Sequence, residues 1–382
     1  MDDTSDRSTG ALRRMLAVGL ALGGFATGPS ESALAQPPTS AEVQVGELVP
    51  RDIREMYDRG LQFLASTQLE SGSWSPGEQR AGMTSGLETS ASWDDSWARQ
   101  AEQGPGVTGL ALLALLASGE DANFGTYSGH IRKALRSLIR VQDARTGYFG
   151  PSMYHHGFAM LALAESYGMV DERNLWPDGD GPRSVGQALE LAVRAAVTAQ
   201  KSNPFHAWRY APGSKDADAS ISGAVLIGLL AARNAGIEVP DESIDGAIIY
   251  YRSMATRTGD VHYLGQSSSS DTMSRTSIAN LVFAIARRKN LPEYRATLDF
   301  LARRIDRLQG VYQEYVYYYE AQALFQGDID SWEKWNKIFV EQLKAAQLPD
   351  GSIPGRFGPT VSTSLSLLSL ALNYRFLPIY ER

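Results

Sequence analysis

Two carboxylates stand just ahead of an apolar run in Asp216-Ala217-Asp218-Ala219-Ser220. Such side chains can donate or accept a proton if a fold holds them in a cleft. Asp218 or Ser220 also has the spacing of an N-cap for a helix ending near Ala232, and a helix N-terminus favours the carboxylate over the acid. His155 and His156 precede Gly157-Phe158 at the start of another apolar run. Adjacent histidines point in different directions on a helix, so they do not chelate one metal as an i, i+4 pair would. They read as polar lining, base or cap. Asp271 with Arg275, Tyr312 with Glu314, and Thr363 occupy comparable places. Tyr318 belongs to an aromatic run of Tyr312, Tyr315, Tyr317, Tyr318 and Tyr319, with Phe325 below. Aromatic faces stabilise cations by about 1–2 kcal/mol when desolvated, but tyrosines packed with their hydroxyls toward water satisfy the same pattern. Glu314 and Glu320 on that helix predict a wet environment. The chain contains no cysteine, which excludes thiolate metal sites and disulfides. No metal or cofactor is expected.

The elements that must position these residues form a repeat. An apolar helix ends in Gln, a Gly-aromatic turn follows, and a second helix rich in Leu, Ala and Gly comes next. The fullest copy has Arg59, Gly60, Phe63, Leu64, Gln68, Gly72 and Trp74. The second has Leu135, Leu138, Gln142, Gly147 and Phe149; the third has Leu191, Gln200, Trp208 and Tyr210. In the fourth, with Ile244, Ile248, Gly259 and Tyr263, Gln is missing and Arg252 stands near its place. The fifth (Leu298, Phe300, Leu301, Ile305) is degenerate, and the sixth returns with Phe339, Leu343, Gln347 and Gly351. The first helices are amphipathic at helical spacing. The second helices, such as 107–116, are apolar on every face, as expected inside another layer. Their small residues (Gly109, Gly157, Gly223, Gly228) permit close convergence around an axis. These observations predict an all-α fold: a closed α/α toroid of about six helix pairs, with inner and outer rings.

Arg13 and Arg14 precede an apolar stretch from Met15 to Ala26, and Ala33-Leu34-Ala35 offers small residues for cleavage. Residues 1–35 are expected to be an export signal of the twin-arginine or general secretory type, leading to a periplasmic or extracellular location. Residues 36–51 read as a polar linker and 52–382 as the repeat domain. No other segment is apolar enough to span a membrane. The formal net charge of −7, without a basic run, argues against a nucleic-acid partner. The polar stretch 72–105, with Trp93, Asp94, Asp95 and Trp97, is a long insertion of the kind that often carries function.

The run Arg59-Gly60, Phe63-Leu64, Gln68, Gly72-Ser73-Trp74 resembles, position for position, the QW motif of squalene-type triterpene cyclases. The chain as a whole is similar to prenyltransferase and squalene oxidase repeat proteins, and its ending, Tyr374 to Tyr380, resembles exported planctomycete-type members. The resemblance implies the toroid of terpenoid cyclases and protein prenyltransferase β subunits, with Gln68 and Trp74 as structural staples. It also implies that function sits in the central cavity, near the N-terminal ends of the inner helices. Residues 216–220 resemble the Asp-x-Asp-Asp motif of class II cyclases, which would make Asp218 the proton donor, with Asp216 beside it. Ala219 replaces the last Asp of that motif. The zinc site of protein prenyltransferases needs a Cys and does not carry over. Squalene-type cyclases use two helical domains, whereas this chain supplies one.

Three readings follow. The chain is an exported toroid that binds a small molecule or a protein partner. Alternatively it is an isoprenoid-active enzyme with Asp218 as acid and the tyrosines as cation stabilisers. The third reading is a polysaccharide-active enzyme, which needs two cavity carboxylates drawn from Asp94, Asp95, Asp218, Asp271 and Glu314. His155, His156, Arg275, Tyr312, Tyr318 and Thr363 are the expected cavity lining in each.

Overall fold

A computed structural model of the chain describes residues 49–74, 104–176, 179, 181–262, 272–306 and 313–374. The expected export signal, most of the linker, the core of the 72–105 insertion, Asp271 and Tyr312 lie outside the described residues. Among the described residues, twelve α-helices alternate between two roles. The odd-numbered set is α1 (Arg51–Thr67), α3 (Ser128–Val141), α5 (Val185–Lys201), α7 (Asp241–Met254), α9 (Pro292–Ala302) and α11 (Ile329–Ala346). The even-numbered set is α2 (Pro105–Leu116), α4 (Met153–Ser166), α6 (Ala219–Asn234), α8 (Met273–Ile285), α10 (Gln313–Gly327) and α12 (Pro359–Ala371). Among the described residues the only extended pairing is a single bridge between Ala255 and Val261.

The even helices pack in sequence, α2 on α4, α4 on α6, α6 on α8, α8 on α10 and α10 on α12, and α12 returns to α2. That return closes a ring. Every residue of α2 and of α4 is buried, which is why neither shows an amphipathic pattern. Close approach is built in: a Cβ added to Gly157 would meet the Ala224 backbone of α6 at 2.7 Å. The odd helices form the outer ring and bury one stripe each, as in α3 through Ile131, Ala134, Leu135 and Leu138. Each rests on the inner helix that precedes it in the chain, α3 on α2 and α5 on α4, with α1 resting on α12.

The outer ring is stapled by the glutamines. Gln68, Gln142 and Gln347 each stand just past a helix end in extended conformation. Gln68 Nε2 donates to Gly72 O (3.0 Å) in its own turn and to His130 O (3.0 Å) on the next outer helix. Gln142 repeats this with Gly147 O (3.0 Å) and Ala188 O (2.8 Å). Gln200 does so with His206 O (2.8 Å) and Ser243 O (2.7 Å). Gln347 Nε2 donates to Gly351 O (3.0 Å) and to Met56 O (2.9 Å) on α1, closing the outer ring. The indoles take a different carbonyl: Trp74 Nε1 donates to Leu64 O (2.7 Å) and Trp208 Nε1 to Ala196 O (2.9 Å), near the end of the preceding helix. In the fourth repeat the helix end is Ala255, not Arg252. Arg252 lies one turn earlier and reaches α9 through an ion pair with Glu293 (3.1 Å), replacing an amide staple by a charge contact.

The turn residue is pressed against the next outer helix. Gly351 has φ +87°, and a Cβ there would lie 2.1 Å from Arg59 O. Gly72 and Gly147 face Lys133 and Leu191 in the same way. In the third repeat His206 takes the left-handed position, with φ 52°. The facing residue on α7 is then Gly246, where an added Cβ would approach the His206 Cβ to 2.9 Å. The small residue has moved from the turn to the helix. Gly246→Leu should therefore destabilise the fold by about 1–3 kcal/mol through overpacking. Adding His206→Gly should recover part of that loss, a coupling of about 0.5–3 kcal/mol in a double-mutant cycle by urea unfolding; strict additivity would refute the swap.

Candidate functional site

The chain passes from each described turn into an inner helix through one recurring bond. The backbone N–H two residues after the turn position donates to a side chain in the first turn of the helix. The pairs are Trp74 to Thr108 Oγ1 (3.4 Å), Phe149 to His156 Nδ1 (3.2 Å), Trp208 to Ser222 Oγ (2.9 Å), Val261 to Thr276 Oγ1 (3.1 Å) and Ile353 to Thr363 Oγ1 (2.8 Å). His156 and Thr363 are thus members of one structural series. His156 Nε2 also meets Ala192 O of α5 at 3.0 Å, so Nδ1 accepts, Nε2–H donates and the ring is neutral. Burial lowers its pKa to about 4. Both ring nitrogens are spent within the wall. His155, one residue earlier and fully buried, accepts the Gly106 N–H of α2 at Nδ1 (3.2 Å). Arg275, 2% exposed, donates from Nε to Val261 O (3.2 Å).

The two aspartates separate. Asp218 is the N-cap of α6, and its Oδ1 accepts the N–H groups of Ser220 (2.8 Å) and Ile221 (3.1 Å). Asp216 is exposed and faces Arg209 at 3.4 Å. Their environments therefore differ.

Aromatic rings gather where the inner helices begin. Tyr154 of α4 and Tyr315 of α10 come from opposite sides of the six-membered ring. They meet edge-to-face at 6.2 Å, with hydroxyls 3.4 Å apart. The Tyr315 hydroxyl also approaches Ser220 O of α6 at 3.5 Å. Tyr210 packs on Tyr154 (6.2 Å), Phe357 on Tyr315 (6.4 Å) and Tyr319 beneath Tyr315 (4.8 Å). Tyr318 is buried against Tyr319 (4.8 Å) rather than at the rim. Glu314, in the first turn of α10, accepts Ser362 Oγ–H (3.1 Å) and Phe357 N–H (3.4 Å) on Oε1. Among the expected residues the fold brings Glu314 to the aromatic cluster and sends His156, Thr363 and Tyr318 into the wall. Tyr154, Tyr210, Phe357 and Ser362 were not among the site residues expected from the sequence. Tyr154 was the findable one, since it directly precedes the histidine pair at a helix start. A groove of about 490 Å³ lies on the outer face of α5, beside Arg183 and Arg194.

The ring of inner helices inside a ring of outer helices has known counterparts. The chain is similar to an inactive variant of an α-1,6-mannanase of Salegentibacter in complex with α-1,6-mannotriose. The identity is 10% and the TM-score 0.58, over 84% of this chain and 98% of that one. It is also similar to the type II terpene cyclase MstE of Scytonema without ligand, at 12% identity and TM-score 0.51, over 85% and 98% of the two chains. A variant of that cyclase holding geranylgeranyl dihydroxybenzoate gives 13% identity and TM-score 0.53, over 85% and 98%. The fold is an α/α toroid. No family model and no curated protein sequence matches the chain. At these identities the likeness establishes the toroid and not its chemistry.

Two buried groups of the toroid set opposite pH dependences. His156 is held neutral, with its pKa lowered from 6.5 to about 4. Its contribution is complete above pH 6.5 and is lost as pH falls toward 4. Glu320 is 1% exposed, and burial raises its carboxyl pKa from 4.5 to about 8, with the Trp335 indole beside it. A raised acid stabilises most below 4.5 and loses that contribution as pH climbs to 8. Unfolding free energy should therefore decline between pH 6.5 and 8, and Glu320→Gln should flatten that decline. An unchanged slope in urea titrations across this range would contradict the assignment.

Proposed function

We propose that this protein is a ligand-binding toroid whose ligand is engaged on the rim where the inner helices begin. The observation that carries the reading is the Tyr154–Tyr315 contact, which brings rings from opposite sides of the inner circle together. The half-buried Tyr210 and the outer edges of the buried Tyr154 and Tyr315 are the aromatic surface a ligand would meet at this level. It also divides the space that a folded polycyclic product would need. The rings carry hydroxyls, and Glu314 stands among them, which suits a polyhydroxylated chain better than a carbocation. The mannanase with its bound mannotriose supports a glycan on this fold, and the terpene cyclase supports an isoprenoid. Asp218 favours the first: its Oδ1 serves the helix cap, and Ala219 stands where a cyclase acid motif has a further carboxylate.

The test is calorimetric titration of the purified protein with α-1,6-mannotriose, a wider oligosaccharide panel and geranylgeranyl diphosphate. Glycan binding is expected, weakened at least tenfold by Tyr154→Ala and unaffected by Asp218→Asn. Asp218→Ala should cost about 1 kcal/mol of stability as a lost cap. Binding of the isoprenoid alone, or a cyclised product whose formation Asp218→Asn abolishes, would replace this reading by the cyclase.

We further propose that the chain is an exported member of the prenyltransferase and squalene oxidase repeat group. The support is the paired Arg13-Arg14 ahead of an apolar stretch and the repeat phrase around Gln68. N-terminal sequencing of protein recovered outside the cytoplasm should begin near Gln36, and Arg13→Lys with Arg14→Lys should block a twin-arginine route. Recovery of the intact N-terminus from the cytoplasm would refute export.

A further inference from the structure

We infer that Glu314 is the carboxylate that grips ligand hydroxyls at this rim, acting as a binding residue; the inference rests on the rim reading above. Glu314 is 8% exposed and, among the described residues, takes part in no ion pair. Its two hydrogen bonds, from Ser362 Oγ and Phe357 N, both fall on Oε1. A carboxylate offers about four lone-pair directions, and burying its charge with few donors is costly. Oε2 is thus the acceptor that an incoming donor would satisfy.

The surroundings keep that acceptor oriented. Ser362, on α12, pins Oε1 from the neighbouring inner helix, so the carboxyl does not swing freely. The exposed loop in front carries Gly355. A Cβ there would lie 2.2 Å from Ser362 Oγ and 2.6 Å from Glu314 Oε1. Only a residue without a side chain lets the loop pass this close to the carboxyl. The next residue, Tyr315, supplies a ring in contact with Phe357 and Tyr154. A pinned acceptor beside aromatic rings matches the two surfaces of a pyranose, its hydroxyl edge and its apolar C–H face. Asp218 lacks this arrangement, because its Oδ1 bonds are to its own helix. A site built to accept hydroxyl hydrogen bonds discriminates strongly against analogues lacking them.

The experiment titrates the full chain with cellohexaose, maltohexaose and mannohexaose. Wild type should bind at least one of them, and Glu314→Gln should lower that affinity tenfold or more. Gly355→Ser, whose added side chain displaces Ser362 Oγ and the Glu314 carboxyl, should produce a comparable loss in protein that still melts cooperatively with its helical signal intact, and it decides the matter alone if Glu314→Gln fails to fold. Tyr154→Ala reports on the rim independently. Loss with Tyr154→Ala but unchanged affinity in both other variants leaves the rim reading standing and overturns the role of Glu314. Absence of any glycan binding by wild type overturns both. Binding of tetramethylammonium at the same residues, without glycans, would overturn the hydroxyl assignment in favour of a cation site.

Discussion

One amide nitrogen, used twice, holds the outer ring together. Each staple glutamine gives one N–H to its own turn and the other to a carbonyl on the next outer helix. A single side chain thereby fixes both the exit path of its helix and the position of the neighbour. Carbonyls inside a helix already accept one bond, and their second lone pair is what the glutamine uses. The constraint propagates around the circle, because the residue three positions beyond each accepting carbonyl is the one that meets the turn. That register places Lys133, Leu191, Gly246 and Arg59 opposite Gly72, Gly147, His206 and Gly351. Closure from Gln347 to α1 makes the chain a ring rather than an open solenoid.

The inner ring depends on a second recurring bond, from the turn N–H to the first turn of the inner helix. Thr108, Ser222, Thr276 and Thr363 supply a hydroxyl there, and His156 supplies an imidazole. The larger side chain also reaches α5, tying three elements at one point. Such positions look like cavity residues in a linear reading, since they are polar and stand at helix starts. Their polarity serves the backbone instead. Regularity fades toward the fifth pair. Buried atoms without hydrogen-bond partners collect on α10 and α11: Glu320 Oε1, both amide atoms of Gln322, and the indole nitrogens of Trp332 and Trp335. Groups of this kind weaken a wall, and α10 is also the helix that carries Glu314 and Tyr315 to the rim. Departure from the repeat and the aromatic cluster therefore share one element.

The sequence by itself determined the vessel. Helical spacing in the outer helices, all-round apolarity in the inner ones, and the phrase ending in Gln, Gly and an aromatic residue are local signals. They follow from 3.6-residue periodicity and turn chemistry, which need no tertiary context. The N-cap role of Asp218 was legible for the same reason, because a cap and its helix are adjacent in the chain. What only the tertiary structure decided was which polar and aromatic residues come together. The Tyr154–Tyr315 contact joins α4 to α10 across the circle, and Glu314 meets Ser362 from another helix. The exchange of glycine and side chain between His206 and Gly246 likewise pairs distant positions. Apolar periodicity records that a face is buried without recording what it is buried against, so these pairings are fixed only when the ring closes.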